Sequence, residues 1–480
     1  MTLNRRKVLK MGLGAGVALT SIPVAQSVIW SGKDFTRPGY EPALPEAPEG
    51  RAAWQNWSGL HKATPKEIFV PADAAALAEK IGAWSGRVRP VGSGHSFTPL
   101  VPSQDMIVDI SRLSGLISYD SAAKTATFGA GTRLRQTAQL AAKVGLAFPN
   151  MPDIDVQTLA GSFSTGTHGT GRRLAAIHDG VQSFHMITAT GAMLDVSRDS
   201  HPELFAAGKV SLGSLGVITD YTLRMVDNYA LTRTITLART DDIIANMLDL
   251  SKAHRNFEFY ALPGSDYSAV IIHDSYDGKL EGRPPSKDED FLATLKDLRD
   301  TLGWWPWLRR KAFGAYASAF VPDDGPMEEA TDEYWKLLTT SRPTKFNETE
   351  YHIPEANAQA AITEINAIMS SRSDAYYPIE CRFTGQDDAW LSPFNDGVRC
   401  SIAVHTPADE SYRVLADVIE PVMQRHGGRP HWGKMHSLGE DELMALYPAF
   451  ADFKALRKEM DPDGKFLNPH LAKLFGEDLA

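Results

Sequence analysis

The sequence predicts an α+β chain in which one compositional type is interrupted by another, and three observations carry that reading. From about residue 64 to 228, short β-type runs alternate with Gly-rich turns and a few helices. From about 229 to 425 glycine thins out and longer helical stretches appear. After Gly427 the Gly-rich style returns. There is no internal repeat.

The bulk numbers agree. A chain of 480 residues is long enough for two or three domains with a large core. Hydrophobic residues at 43 % and charged residues at 22 % are globular values. A formal charge of −10 and a pI near 5.8 argue against non-specific nucleic-acid binding, which needs clustered Lys and Arg. Two cysteines make neither a disulfide framework nor a Cys-rich zinc site.

The charge is unevenly spread. Asn4-Arg5-Arg6-Lys7-Val8-Leu9-Lys10 precedes a run without charge from Met11 to about Ser31, and the pattern resembles a twin-arginine export signal. The run is rich in Gly and Ala and interrupted by Pro23, so it makes a poor transmembrane helix. A soluble amphipathic N-terminus and an uncleaved anchor are the alternatives. An export route for folded proteins implies a cofactor-bearing enzyme downstream, in the periplasm or held on the outer face of the membrane. Removing the four positive charges of residues 1–10 from the total of −10 leaves −14, so the body is distinctly acidic.

After the signal, 1–31, residues 32–53 hold Pro and Glu without periodicity and are expected to be a linker. Ile107–Ile110 and Thr125–Phe128 are expected strands, and 133–144 is one amphipathic helix. A short helix is expected near Asp199–Phe205, and a strand opens at Gly216. In the middle part, Thr240–Ala253 and Pro354–Met369 are expected helices. Phe257–Leu262, Tyr376–Phe383 and Arg399–His405 are expected strands. Residues 276–301, with Pro284-Pro285, are expected to form a charged surface excursion. Trp304-Trp305-Pro306-Trp307 is most simply core; beside Arg309-Arg310-Lys311 it is alternatively a membrane contact.

Three patterns mislead. Gly12-x-Gly14-x-Gly16 follows no strand. The segment 428–435 resembles a P-loop only as far as Lys434, because Met435 cannot hold Mg²⁺ and Pro430 lacks an N–H. His431 and His436 lack a carboxylate pattern around them, so no metal is expected.

Three segments carry chemistry. In Gly92-Ser93-Gly94-His95-Ser96-Phe97 an apolar strand feeds two glycines that let backbone N–H groups approach an anion such as a pyrophosphate. His95 alone is equally an ordinary turn histidine. Gly161-Ser162-Phe163-Ser164-Thr165-Gly166-Thr167-His168-Gly169-Thr170-Gly171 offers many donors and little bulk. Ser211–Thr219, including Gly216-Val217-Ile218, is a further close backbone approach entering a strand.

Together these segments resemble the FAD-binding domain of the vanillyl-alcohol-oxidase superfamily, nearest to its sugar-lactone and alditol oxidase branch. Asn56-Trp57-Ser58-Gly59, His431-Trp432-Gly433-Lys434, Tyr447-Pro448 and Asp461-Pro-Asp-Gly464-Lys465-Phe466-Leu467-Asn468-Pro469 are similar to that branch as well. The resemblance is strong over 89–97, 152–171, 211–219 and 429–469 and weak over 230–345. It implies an α+β fold with a two-part FAD domain of the PCMH type. Residues 54–228 would form its N-terminal part and 229–425 an inserted α+β cap, with 426–480 completing the flavin site.

The resemblance also implies roles. His95 matches the histidine that attaches covalently to FAD. Glu380, Arg382, Lys434 and His405 match substrate-pocket positions; a structural ion pair for Glu380–Arg382 and a core histidine for His405 are the plain alternatives. Alternation along the strand puts Glu380 and Arg382 on one face, where a carboxylate beside a guanidinium is expected to stay ionised and orient a polyol hydroxyl; Arg382 and Lys434 would hold the developing alkoxide, and the substrate proton would pass to Lys434 or a neighbouring base. Ser162, Thr165, His168 and His431 fall at the flavin. Pro152 matches a position beside the flavin's oxygen-reactive face, where Gly or Pro tends to accompany oxidases. The expected activity is oxidation of a sugar lactone or polyol CH–OH, with electrons passing to O₂ to give hydrogen peroxide. A dehydrogenase feeding a cytochrome or quinone is the alternative within the class, and a catalytically silent flavin-binding protein is the alternative outside it.

Overall fold

The computed structural model describes residues 25–30, 32–322 and 324–479. The twin-arginine-like stretch and most of the uncharged run therefore lie outside the described residues. No helix among the described residues is long and apolar enough to cross a membrane.

The N-terminal part is built mainly on two small sheets, beside two two-stranded pairs. In one, the parallel strands Glu67–Phe69 and Val88–Val91 flank Met106–Asp109. In the other, five antiparallel strands are centred on Val217–Arg224, with Val181–Ile187 on one side and Thr125–Gly129 on the other. The expected helix at 133–144 is Leu134–Ala142, and its inward stripe of Leu134, Ala138 and Ala141 is buried.

The middle part is dominated by an eight-stranded antiparallel sheet. Its order is Glu328–Glu333, Ala230–Arg239, Tyr267–Tyr276, Asn256–Leu262, Ile379–Thr384, Arg399–Pro407, Phe346–Pro354 and Arg429–Pro430. Alternation makes this sheet two-faced. Phe257, Phe259, Cys381, Phe383, Ile402, Tyr351 and Ile353 are buried apolar positions on one side. The helices Thr240–Ala253 and Ala358–Ser371 pack there, the second through Ala361, Ile362, Ile365 and Met369. Of the intervening residues, Glu258, Tyr260, Glu380, Arg382, His405, Glu348 and Glu350 face a cavity. The last strand, Arg429–Pro430, belongs to the C-terminal segment yet completes this sheet, so that segment joins both parts of the molecule.

The excursion is more than surface. It contains the helix Asp288–Leu302, and a second helix, Pro306–Ser318, follows. Leu295 and Phe313 pack with Tyr376 and Tyr377 in a separate small core. Arg299 is fully buried against Glu410. The tryptophans correct the core reading, since Trp305 and Trp307 are 45 % and 55 % exposed. Arg309 is buried and donates to Ala375 O, which leaves Arg310 and Lys311 as that run's surface cations.

The C-terminal motif fastens the ends of the chain together. Asp461 accepts from the N–H groups of Lys465 and Phe466, tightening a turn in which Gly464 has φ +67°. Lys465 Nζ then donates to Ile81 O and Ala189 O, and Asn468 Nδ2 donates to Pro99 O. Arg89 lies on the other side of this junction. Its buried guanidinium donates to the carbonyls of Leu100, Leu212, Gly213 and Phe466, binding three loops at once.

Candidate active site

The strands and loops enclose a cavity of about 980 Å³, at the large end of the range for ligand sites. Gly92-Ser93-Gly94-His95-Ser96-Phe97 forms one wall. Gly94 sits at φ +67°. The N–H groups of Ser93, Gly94, His95 and Ser96 donate to no other group among the described residues, whereas those of Trp57 and Phe97 donate to Gly94 O and Gly433 O. Unspent N–H groups on a cavity wall form a cradle for an anionic ligand.

The loop is held by motifs remote in sequence. Asn56 Nδ2 donates to Ser96 O, and the Trp57 ring stacks on His95 with centroids 5.1 Å apart. Burial, then Lys434 and Arg133, pushes the His95 imidazole down to about 4, so it is neutral at physiological pH. Within His431-Trp432-Gly433-Lys434, side chains alternate in purpose. Trp432 is buried, donates to Leu391 O and stacks on Tyr447; His431 and Lys434 turn to the cavity. His431 Nδ1 accepts from Gly433 N, and burial pushes this ring down to about 3.

Pro152, Gly161, Thr165, His168, Gly216, Val217 and Ile218 also line the cavity. Ser162, Gly166 and Gly169 are not among its lining residues. The Ser162 hydroxyl turns back onto its own helix, donating to Thr158 O and Leu159 O. Gly166 takes φ +75° beside Pro393. Gly169 has no room for a Cβ because Met151 O lies against it.

Sheet register assembles the reactive end. Tyr260 pairs with Glu380, which pairs with Ala403, which pairs with Glu350; one level along, Glu258, Arg382, Ser401 and His352 align in the same way. His405 pairs with Glu348 on the level beyond. The small residues Ala403 and Ser401 leave space between flanking charges. Glu380, Arg382, His405 and Lys434 all line the cavity, as expected of a pocket.

The sequence reasoning missed the counter-charges. Arg382 donates to Glu350 at 3.1 Å and Asp153 at 3.4 Å, and its Nε lies 3.4 Å from Glu380. The Glu380–Arg382 ion pair therefore exists and also faces the cavity. Lys434 Nζ donates to Glu348, which lies 3.6 Å from His405. His168 Nε2 is 3.0 Å from Glu350. Tyr260 OH donates to Glu380 at 2.7 Å and Asp153 at 3.1 Å. Arg342 reaches towards Asp153 and towards Asp288 of the excursion. A signal existed in Glu348-Thr-Glu350-Tyr-His352, where polar groups at period two mark a strand with a polar buried face.

These surroundings push the carboxyls apart. Burial would raise Glu348 and Glu350, but Lys434 and His405 hold Glu348 at about 2, and His168 and Arg382 hold Glu350 well below the usual range. Burial, only partly offset by Arg382 and reinforced by Asp153, pushes Glu380 up to about 7. Burial with Asp153 and Glu380 keeps the Tyr260 phenol neutral. Two fixed cations, permanently ionised carboxylates and one carboxyl titrating near neutrality form an acid–base site.

The donor set fits FAD. The N–H cradle suits its pyrophosphate, and the cavity can hold both a dinucleotide and a small polar molecule. Two family models match the chain: D-arabinono-1,4-lactone oxidase over residues 221–474 and an FAD binding domain over 65–197. L-gulono-1,4-lactone dehydrogenase of Mycobacterium tuberculosis is 31 % identical, over 88 % of this chain and 99 % of its own. L-gulonolactone oxidase of Bos taurus is 28 % identical, over 88 % and 98 %. Alditol oxidase of a Streptomyces species is 28 % identical, over 87 % and 98 %. The crystal structure of cholesterol oxidase from B. sterolicum superposes with a TM-score of 0.72 at 15 % identity, covering 92 % of this chain and 100 % of that one, a likeness of fold.

Proposed function

The chain belongs to the D-arabinono-1,4-lactone oxidase family, and on that premise we propose that it is an FAD-dependent oxidase of a CH–OH group in a sugar 1,4-lactone or polyol. The observation that carries the reading is Glu380 beside Arg382 in the cavity that Lys434 also lines, with the N–H cradle of Ser93–Ser96 on the same cavity. The Ser93–Ser96 cradle with His95, Thr165, His168 and His431 would hold FAD, whose isoalloxazine would supply two-electron acceptor chemistry when bound.

The protein's own work is proton and charge management. The ionised Glu380 carboxylate takes the hydroxyl proton, and Tyr260 holds that carboxylate in place by donating to it. Arg382 and Lys434 stabilise the oxygen as it gains negative charge. Their partners Glu350 and Glu348 fix both cations in position, so little reorganisation accompanies the reaction.

We read His95 as a covalent tether. It is neutral, lines the cavity and is oriented by Trp57, all of which suit a nucleophilic imidazole. Acid precipitation tests this: a covalent flavin stays yellow with the pellet, and complete release to the supernatant rules the tether out. Pro152 on the cavity wall supports O₂ as acceptor. Anaerobic bleaching by a panel of aldonolactones and alditols identifies the substrate; return of colour on admitting air, with hydrogen peroxide formed, identifies the oxidase. Failure of air to restore colour makes the chain a dehydrogenase, as in the mycobacterial relative's name.

The paired arginines Arg5-Arg6 ahead of the uncharged run support export of the folded, flavin-loaded protein across the cytoplasmic membrane, to the periplasm or to an anchored position on that membrane's outer face. Export that survives replacement of both arginines by lysine removes this reading.

A further inference from the structure

Exposed apolar side chains are not scattered over this protein. Eight of the fourteen large ones among the described residues fall in two stretches, Val28 and Ile29, and, between residues 280 and 327, Leu280, Trp305, Trp307, Phe320, Val321 and Met327. The two stretches meet in space. Trp30 Nε1 donates to Arg299 O, its ring occupies the place a Cβ on Gly303 would take, and Gly303 leads directly into Trp304 and Trp305. Trp305 in turn lies 6.3 Å from Trp307, ring centre to ring centre.

From there the helix Pro306–Ser318 runs about 20 Å to Phe320 and Val321. Its solvent side carries Trp307, Arg310 and Lys311. Neither cation has an ion-pair partner among the described residues, although the body of the protein is strongly acidic. A cluster of this kind exceeds the isolated exposed residues that soluble surfaces normally carry. Exposed tryptophan with unpaired Lys and Arg beside it is a feature of a surface lying in the headgroup region of a bilayer.

The cavity opens at the same place. Apart from Arg135, the exposed residues lining it all belong to residues 284–344, Phe320, Pro322 and Met327 among them. Phe291, Tyr316 and Phe320 form an aromatic cluster at this mouth, with centroids 5.2–5.5 Å apart.

We propose that this face docks on an anionic phospholipid surface, with the helix Pro306–Ser318 in the plane of the headgroups and the mouth of the cavity at its edge. The occupant is lipid rather than protein on two grounds. Trp30, directly after the exposed Val28 and Ile29, is seated on the patch, and Arg310 and Lys311 complement anionic headgroups while the −14 body turns the rest of the molecule away. The inference is independent of which lactone or polyol is oxidised.

The test uses the full chain with its flavin, floated with phosphatidylglycerol-containing vesicles. The double variant W305S/W307S is expected to lower the bound-to-free ratio by about tenfold or more. The double variant R310E/K311E is expected to abolish the preference for anionic over purely zwitterionic vesicles. Retained flavin absorbance shows that each variant is folded. In the wild type, lipids brominated just below the headgroups are expected to quench tryptophan fluorescence, which tests the contact without any substitution. Unchanged flotation of W305S/W307S, or absence of quenching in bound wild type, overturns the proposal. So does concentration-dependent dimerisation that W305S/W307S abolishes, since the patch would then be covered by a second copy.

Discussion

Replacing Glu380 by Gln tests the acid–base assignment most directly. Glu380 is buried at the meeting point of Tyr260, Arg382 and Asp153, where burial outweighs Arg382 and places its carboxyl at about 7 against an ordinary 4.5. A carboxylate with that value is about one-tenth ionised at pH 6 and about nine-tenths at pH 8. If it accepts the substrate proton, the rate of flavin reduction rises about tenfold over that interval. The assay is anaerobic rapid mixing with the best substrate, following flavin absorbance from pH 5.5 to 8.5. E380Q is expected to be slower by about 10²-fold or more and to lose the limb centred near 7. Stability supplies a second reading. Because the folded state holds this proton more tightly, the group's contribution is fully present below pH 4.5 and is lost as pH rises through about 7. The wild type therefore loses up to about 3 kcal/mol relative to E380Q across that window, whatever the offset between the two proteins. An E380Q profile that keeps the same inflection would assign the limb to another group and refute the reasoning.

Three further expectations follow from individual residues. K434M leaves Glu348 buried with only His405 near it, and kcat is expected to fall about 10²-fold or more with a smaller change in KM, measured by steady-state kinetics. R89L strips the carbonyls of Leu100, Leu212, Gly213 and Phe466 of their donor, so urea denaturation is expected to show a loss of about 3–5 kcal/mol. G92A drives a methyl group into Thr158 Oγ1, which caps the helix Leu159–Ser164, so flavin content per chain and Tm are both expected to fall.

Legibility in the sequence followed how contiguous each group of residues is. Asn56-Trp57, His431-Trp432-Gly433-Lys434 and Asp461–Pro469 could be recognised because their residues stand side by side as motifs, although Asn56, Trp432, Lys465 and Asn468 bond to groups far away in the chain. The helix Thr240–Ala253 was readable for the same reason, its apolar stripe being a property of that segment alone. Tyr260, Glu348 and Glu350 were not readable, because their meaning comes from register between strands distant in the chain, and Asp153, on a loop, meets Arg382 229 positions away. Ser162 misled in the opposite way. A hydroxyl in a Gly-rich segment looks like a ligand contact, yet within one helical turn it satisfies its own backbone. The exposed Trp305 and Trp307 misled too, because composition alone cannot say which side of a helix is covered.

The Arg89 junction also sets an order of events in time. Arg89 and Phe466 are 377 positions apart, and the loops that Arg89, Lys465 and Asn468 tie together come from both ends of the chain. A nascent chain that has released residues 54–425 from the ribosome still lacks Lys434 and the carbonyls and amides of 461–468. Such contacts between distant residues close late and slowly. Closure of the cavity is thus deferred until translation is essentially finished, since a product truncated before residue 429 lacks His431, Lys434 and the tie from Arg89 to Phe466.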